Sequence, residues 1–288
     1  MRLFNFTPVL AVLGAFLVSS AFTASAFSSD VHSARTAALG GAGHAGPLLN
    51  DAIFLNPSFG SFLPTYSLGL NYLNYSGPAV QGQDPHGRNY TVSILDGRSD
   101  LFQAGAAYTQ REDGTFIHVG ASKTLIKRIG VSIGGKIFYN NPAIANGQDL
   151  DASVTGILSE TMQTSITFDN ILETKASRER HLTREIVVGT KYNLKSILLF
   201  YVDPHYAPTA TTGKFGHEIG AELVVMNDFF LRIGNFRNAN IPHLAARGRG
   251  YGLGFGWVGP RLSLDYGVQR VIEPVATTAH VFSFTAFF

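Results

Sequence analysis

The sequence predicts an all-β chain: a transmembrane, antiparallel, up-and-down β-barrel of about fourteen strands, preceded by an N-terminal plug segment. Three observations predict it. Apolar and polar residues alternate with a period of two almost everywhere after residue 64. The last segment, Val281-Phe-Ser-Phe-Thr-Ala-Phe-Phe288, places Phe282, Phe284, Ala286 and Phe288 on one face, an apolar row that needs a bilayer beside it. The links between apolar-polar segments mostly alternate long and short, a parity that a Greek-key sandwich has no reason to show.

Taken in order, the chain begins with Arg2, an apolar run from Val9 to Val18 and the small residues Ala24-Ser25-Ala26. That pattern predicts a signal peptide over residues 1–26 and a mature chain starting at Phe27. No later segment supplies the about 20 consecutive apolar residues of a membrane-crossing helix, so the mature chain is soluble or a barrel. Residues 27–64 are rich in Gly and Ala. Gly40, Gly41, Gly43 and Gly46 permit a tight non-strand path, and Pro57 fixes a turn before the first strand. They are compatible with a plug or hatch over this segment; the bland alternative is a disordered leader.

Residues 65–288 form the predicted barrel, with strands over 65–75, 88–95, 101–109, 115–124, 129–139, 149–158, 161–169, 183–193, 196–202, 215–226, 228–236, 249–257, 261–269 and 279–288. Each has a greasy and a polar face: Tyr66, Leu68, Leu70 and Tyr72 oppose Ser67, Gly69 and Asn71, and Val131, Ile133, Ile137 and Tyr139 oppose Ser132, Gly134 and Lys136. Long links, such as those over 140–148, 170–182 and 237–248, fall on the outer side, tight ones such as Ser159-Glu160 and Leu194-Lys195 on the periplasmic side. Tyr72, Tyr75, Tyr139, Tyr192, Tyr201, Trp257 and Phe287 fall near strand ends, where aromatic girdles sit. Closure satisfies every backbone group that would otherwise face lipid.

Composition agrees. In 288 residues there are 31 Gly, 22 Phe and 11 Tyr, with only 15% charged residues and a mean hydropathy of +0.12, greasier than a typical secreted domain. The absence of Cys removes both a disulfide framework and thiolate chemistry. A net charge of +2 with scattered basic residues gives no nucleic-acid footprint.

The polar faces point Lys136, Glu185, Lys191, Glu218, Glu222, Arg232, Arg261 and Asp265 into the lumen. Most of these charges are expected to pair with one another, because confined charges need partners. The sharper reading gives a cation the task of anchoring a ligand carboxylate, with Lys136 and Arg232 first and Lys191 and Arg261 as further candidates. No nucleophile, base and orienting group come together in any recognisable motif, so no enzyme is expected. His217 and Glu218 are adjacent on a strand and point to opposite faces. The nine His residues show no metal-ligand spacing, so neither a metal nor any other cofactor is expected.

The closing strand resembles the carboxy-terminal signal of bacterial outer-membrane proteins. That resemblance implies insertion into the outer membrane of a Gram-negative bacterium by the barrel-assembly machinery, through the strand ending at Phe288, with outer-membrane lipid around it. Gly40-Gly41-Ala42-Gly43, then Asp51-Ala52, then Asn56-Pro57-Ser58 resemble the amino-terminal region of the FadL-type outer-membrane transporter superfamily, including its PorV-like branch. Ser58 stands where the family usually has Ala, and Asp51 lies closer to Asn56 than in the family pattern. The resemblance implies a fourteen-stranded barrel with its amino-terminal segment folded into the lumen. It also implies passage of small hydrophobic molecules, such as fatty acids or aromatic hydrocarbons, toward a lateral gap in the wall, for which Gly105 in the third strand is the candidate defect. A PorV-like scaffold that docks secreted or surface proteins is the alternative; an open diffusion porin is disfavoured by the plug.

Overall fold

A strand with one apolar and one polar face leaves a row of unpaired backbone groups on each edge, and the sheet here removes both edges by closing on itself. The computed structural model describes residues 32–78, 86–112, 114–226, 228–241 and 246–288; the predicted signal peptide lies outside the described residues. The strands are β1 (Tyr66–Ser76), β2 (Gly87–Asp96), β3 (Gln103–Arg111), β4 (Gly114–Ile126), β5 (Ile129–Tyr139), β6 (Gly147–Ile157), β7 (Met162–Asp169), β8 (Glu185–Leu194), β9 (Leu198–Tyr206), β10 (Phe215–Val225), β11 (Phe229–Ile241), β12 (Ala246–Val258), β13 (Leu262–Glu273) and β14 (Thr278–Phe287). Each is antiparallel to its sequence neighbours, and β1 pairs with β14 to complete a fourteen-stranded closed barrel. The seam runs in register from Ser67–Phe287 to Ser76–Thr278, and Tyr66 and Phe288 exchange backbone hydrogen bonds of 3.2 and 2.8 Å at its end.

The barrel is inside-out relative to a soluble domain. Ile133, Ile233, Phe255 and Phe282 are more than half exposed on the outer face, whereas Thr155 and Asp203 are fully buried on the inner one. Such an outer surface is stable only against hydrocarbon, which makes the fold a transmembrane barrel. Within the described residues no helix is long and apolar enough to cross a membrane.

Several strands run further than their composition predicts. β9, β11 and β13 end at Tyr206, Ile241 and Glu273, not near 202, 236 and 269, so the link expected over 237–248 shrinks to 242–245. All three extensions lie at the end of the barrel opposite the chain's carboxy terminus. There the sheet stands beyond the apolar band, and cross-strand pairing such as Asn240–Arg247 no longer needs greasy side chains. Two of the aromatic residues expected in girdles point inward instead. Tyr75 packs with Ala34, Leu73 and Val281, and Tyr201 with Leu39 and Ala42. Arg261 also departs from expectation: β13 starts at Leu262, so Arg261 sits exposed in the turn before it and not on the lumenal face.

At the far end the β7–β8 link carries a short helix, α3 (Lys175–Glu179). Thr174 caps it by accepting from Ser177 N. Buried Asp149 holds this link by accepting from Leu172 N at 2.9 Å and from Ser177 Oγ. Ala176 and Leu182 then pack on Phe116 and Phe138, so the link leans over the lumen.

Candidate functional site in the lumen

Residues 32–64 lie inside the barrel. Two short helices, α1 (Ala34–Ala38) and α2 (Ala52–Leu55), are separated by a glycine-rich turn, and a tight 3-10 stretch over Pro57–Phe62 leads to β1. Ser33 opens α1 with a reciprocal capping box: its Oγ accepts from Thr36 N, and Thr36 Oγ1 accepts from Ser33 N. The Ala side chains of α1 let its backbone approach a wall that is itself stripped to glycine. A Cβ on Gly252 would lie 2.0 Å from the Ala37 carbonyl oxygen, one on Gly267 2.1 Å from that of Ala34, and one on Gly234 2.0 Å from that of Leu39. No side chain fits between helix and wall there, so these positions form a seat for α1 on β11, β12 and β13.

Charge fixes the seat. Buried Arg35 points from α1 to Glu222 on β10, with Nε 3.3 Å from Oε2, and donates through Nη2 to Tyr201 Oη at 2.9 Å. Glu222 also accepts from Arg232 Nε at 2.5 Å, and Arg232 in turn donates to Asp265. Arg35 Nη1 lies 3.7 Å from Asp51 Oδ2 at the start of α2, so the cation of α1 also reaches the second helix. Burial pushes the Asp51 carboxyl up to about 6, with Arg35 pulling the other way.

The turn between the helices meets the wall at a second cluster. Gly40, Gly41 and Gly43 have φ of +67°, +95° and +135°, values that L side chains rarely adopt. This path brings Gly43 N and His44 N to Asp203 Oδ2 at 2.7 and 2.9 Å, and His44 Nδ1 to the same oxygen at 3.0 Å. Burial disfavours charge on His44, but the Asp203 hydrogen bond and the fields of Asp203 and Glu218 outweigh it and raise its pKa to about 9.

Asn56, fully buried, ties the segment together: its Nδ2 donates to His44 O at 2.6 Å and to Thr155 Oγ1 at 2.7 Å, and its Oδ1 accepts from Ser58 Oγ at 2.6 Å. Pro57 packs on Gly120 of β4. Asn56→Ala strands these partners and is expected to weaken docking of the segment by about 1–3 kcal/mol. Hydrogen–deuterium exchange over residues 44–58 checks this, with faster exchange there and unchanged protection in the strands.

Above the segment, toward the far end, is a cavity of about 110 Å³. Phe54, Phe116 and Phe236 give it apolar wall; Lys136, Asp169 and Glu218 give it charge. His32 stacks on Phe54 with ring centroids 4.3 Å apart. Burial lowers the His32 pKa to about 3, with Arg111 and Lys136 acting in the same direction.

The cation candidates separate clearly. Lys136 lies 3.3 Å from Asp151 and bonds Asp169, and Arg232 is held by Glu222 and Asp265, so both are engaged within the protein. Lys191 has no ion pair among the described residues; its Nζ lies 5.9 Å from the Tyr201 ring centroid, and its stem fills the space beside Gly46. Arg261 is outside the lumen.

No protein-family model and no curated protein matches the chain by sequence. Solved structures do. The Ralstonia pickettii toluene transporter TbuX superposes with a TM-score of 0.62 at 11% identity, over 90% of this chain and 99% of that one. A Pseudomonas aeruginosa FadL homologue gives 0.59 at 12%, over 90% and 98%. The Pseudomonas putida toluene transporter TodX gives 0.58 at 11%, over 89% and 97%. This chain has the FadL-type barrel fold.

Within that fold, Gly40 to Gly43, Asp51 and Asn56-Pro57-Ser58 all lie in the lumenal segment and make the contacts described above, although the sequence pattern alone did not show to what they bind. The sequence reading missed Arg35, Asp203 and the glycine seat. The signals were present. Arg35 is the sole Arg, Lys, Asp or Glu between residues 33 and 50, and Gly248, Gly250, Gly252, Gly254 and Gly256 alternate along the inner face of β12. Gly105, the candidate wall defect, is paired on both sides, with Leu95 and Gly120, and Ile53 of the segment packs on it. A break does occur elsewhere. Between β8 and β9 no pair forms from Val187–His205 to Thr190–Val202, around Pro204, which has no N–H to give.

Proposed function

We propose that this chain is an outer-membrane transporter for small hydrophobic molecules, fatty acids among them, in a Gram-negative bacterium, with residues 27–64 as its plug. One observation carries the reading: the lumenal segment is seated against glycines of the wall and, among the described residues, leaves a small cavity, part aromatic and part charged, near the far end. A diffusion pore needs an open aqueous bore, and a purely structural barrel has no need for such a cavity. Its 110 Å³ is less than the about 150 Å³ at which an apolar protein cavity takes up benzene, so a ligand enters only as the plug yields. The fold it shares with two toluene transporters supports the same class of cargo.

In this reading both chain termini of the barrel face the periplasm, outer-membrane lipid covers the apolar belt, and the strand ending at Phe288 is what the assembly machinery engages. Cargo leaves through the wall at the Pro204 break, where the backbone of Ala45 presses on Gly189 from inside. The PorV-like scaffold reading has one observation in its favour, the unbroken pairing through Gly105.

Mass spectrometry of the detergent-purified barrel, with and without residues 28–56, separates the two. Co-purified fatty acids or aromatic molecules, present in the intact chain and lost on deletion, support transport. An empty barrel that co-purifies with secreted proteins contradicts it.

A further inference from the structure

We infer that His44, Asp203 and Glu218 form a binding site for a divalent transition-metal ion, Zn²⁺ in the first instance, that joins the lumenal segment to the wall. The three donors come from separate elements, the glycine-rich turn, β9 and β10, and lie within 4.8 Å of one another. His44 Nδ1 is 3.0 Å from Asp203 Oδ2 and 3.9 Å from Glu218 Oε2. Around a tetrahedral ion with bonds of 2.0–2.2 Å, neighbouring donors stand about 3.4 Å apart, so small side-chain rotations suffice.

Two atoms point to a missing ligand. Asp203 Oδ1 and Glu218 Oε2 are both buried and have no hydrogen-bond partner, and the Asp203 side chain is wholly inaccessible. A buried carboxylate oxygen without a partner is costly, and two of them beside one imidazole need more positive charge than a single histidine supplies. A divalent ion balances the two carboxylates and leaves His44 as a neutral ligand. The surroundings are those of a prepared site. Gly43 N and His44 N orient Asp203 from behind, as outer-shell donors do in metal centres. Gly41 leaves room for the Glu218 carboxylate, since a Cβ there would lie 2.7 Å from Oε1. Glu218 also borders the cavity, which leaves one side open for water as a fourth ligand. One nitrogen and two carboxylates suit Zn²⁺; Ca²⁺ wants six to eight oxygens, more than this corner provides.

The test is titration of Zn²⁺ into the folded, chelator-washed mature chain in detergent, read by competition with a chromogenic chelator, with heat-dependent gel migration confirming the barrel. One Zn²⁺ per chain is expected in the native protein and in His217→Ala, whose side chain leaves the opposite face of β10. Binding is expected to be lost in His44→Ala and weakened at least about tenfold in Glu218→Gln, which keeps the shape of the side chain. A folded native barrel that takes up no Zn²⁺, or a site unaffected by His44→Ala and Glu218→Gln, overturns the proposal and leaves these residues as a charge-paired latch.

Discussion

Arg232→Met is expected to destabilise the folded barrel by about 3–5 kcal/mol, because it leaves Glu222 and Asp265 buried without their shared cation. Arg232 is almost wholly buried, and its guanidinium, from β11, joins Glu222 on β10 to Asp265 on β13 over Gly256 of β12. The alternative role for this residue, anchoring a ligand carboxylate, predicts a different result: weaker ligand binding with near-native stability. Urea unfolding in lipid vesicles reads the difference. Adding Asp265→Asn to Arg232→Met removes one anion with the cation and leaves Glu222 to Arg35, so much of the loss should return. If the single variant is as stable as the native chain, the network does not hold the barrel and the paired-charge account fails.

Gly252→Ala is expected to unseat α1 while leaving the barrel closed. The added methyl would fall 2.0 Å from the Ala37 carbonyl oxygen and 2.7 Å from that of Ala38, both backbone atoms that cannot swing aside. Overpacking of this kind costs about 1–3 kcal/mol, which raises the population of the undocked segment about 5- to 150-fold. Limited trypsin digestion reads it as faster cleavage after Arg35, which is buried in the docked state. Gly135→Ala is the control: it faces outward, and its nearest neighbour would be a Val119 methyl 3.6 Å away. Equal cleavage in the two variants would show that α1 is not seated on the glycine wall.

Much of the barrel was legible because the bilayer imposes a period of two on every strand it covers. β5 is predicted and found at 129–139, and each of the other expected segments overlaps one observed strand. Legibility stops where lipid stops. Arg237 to Asn240 and Arg270 to Glu273 look like loop by composition, yet they lie in strands paired with β12, where Ala239, Ile241 and Val271 also pack together and Arg249 meets Glu273. Asp203-Pro204-His205 looks like a strand end for the same reason, whereas β9 continues through it at the cost of a local break.

Inside the lumen, single-residue properties were readable and pairings were not. Alternation put Lys136 and Arg232 inward, but only the register of β5 against β6 and β7 brings Asp151 and Asp169 to Lys136, and only the register of β11, β12 and β13 brings Asp265 to Arg232. Parity would have turned Tyr75 and Tyr201 inward with Leu73 and Asp203; their proximity to strand ends argued for a girdle, and packing against the segment decided it. Arg261 has the right parity for the lumen but lies one residue before its strand.

The most direct test of the account is uptake of radiolabelled long-chain fatty acid and monoaromatic hydrocarbon by Gram-negative cells that lack their own hydrophobic channels and express this chain. The account predicts uptake of at least one of the two above that of cells carrying an unrelated porin, with the rate changed when Gly252→Ala unseats the lumenal segment. A barrel correctly assembled in the outer membrane that raises uptake of neither, with or without the substitution, would contradict it.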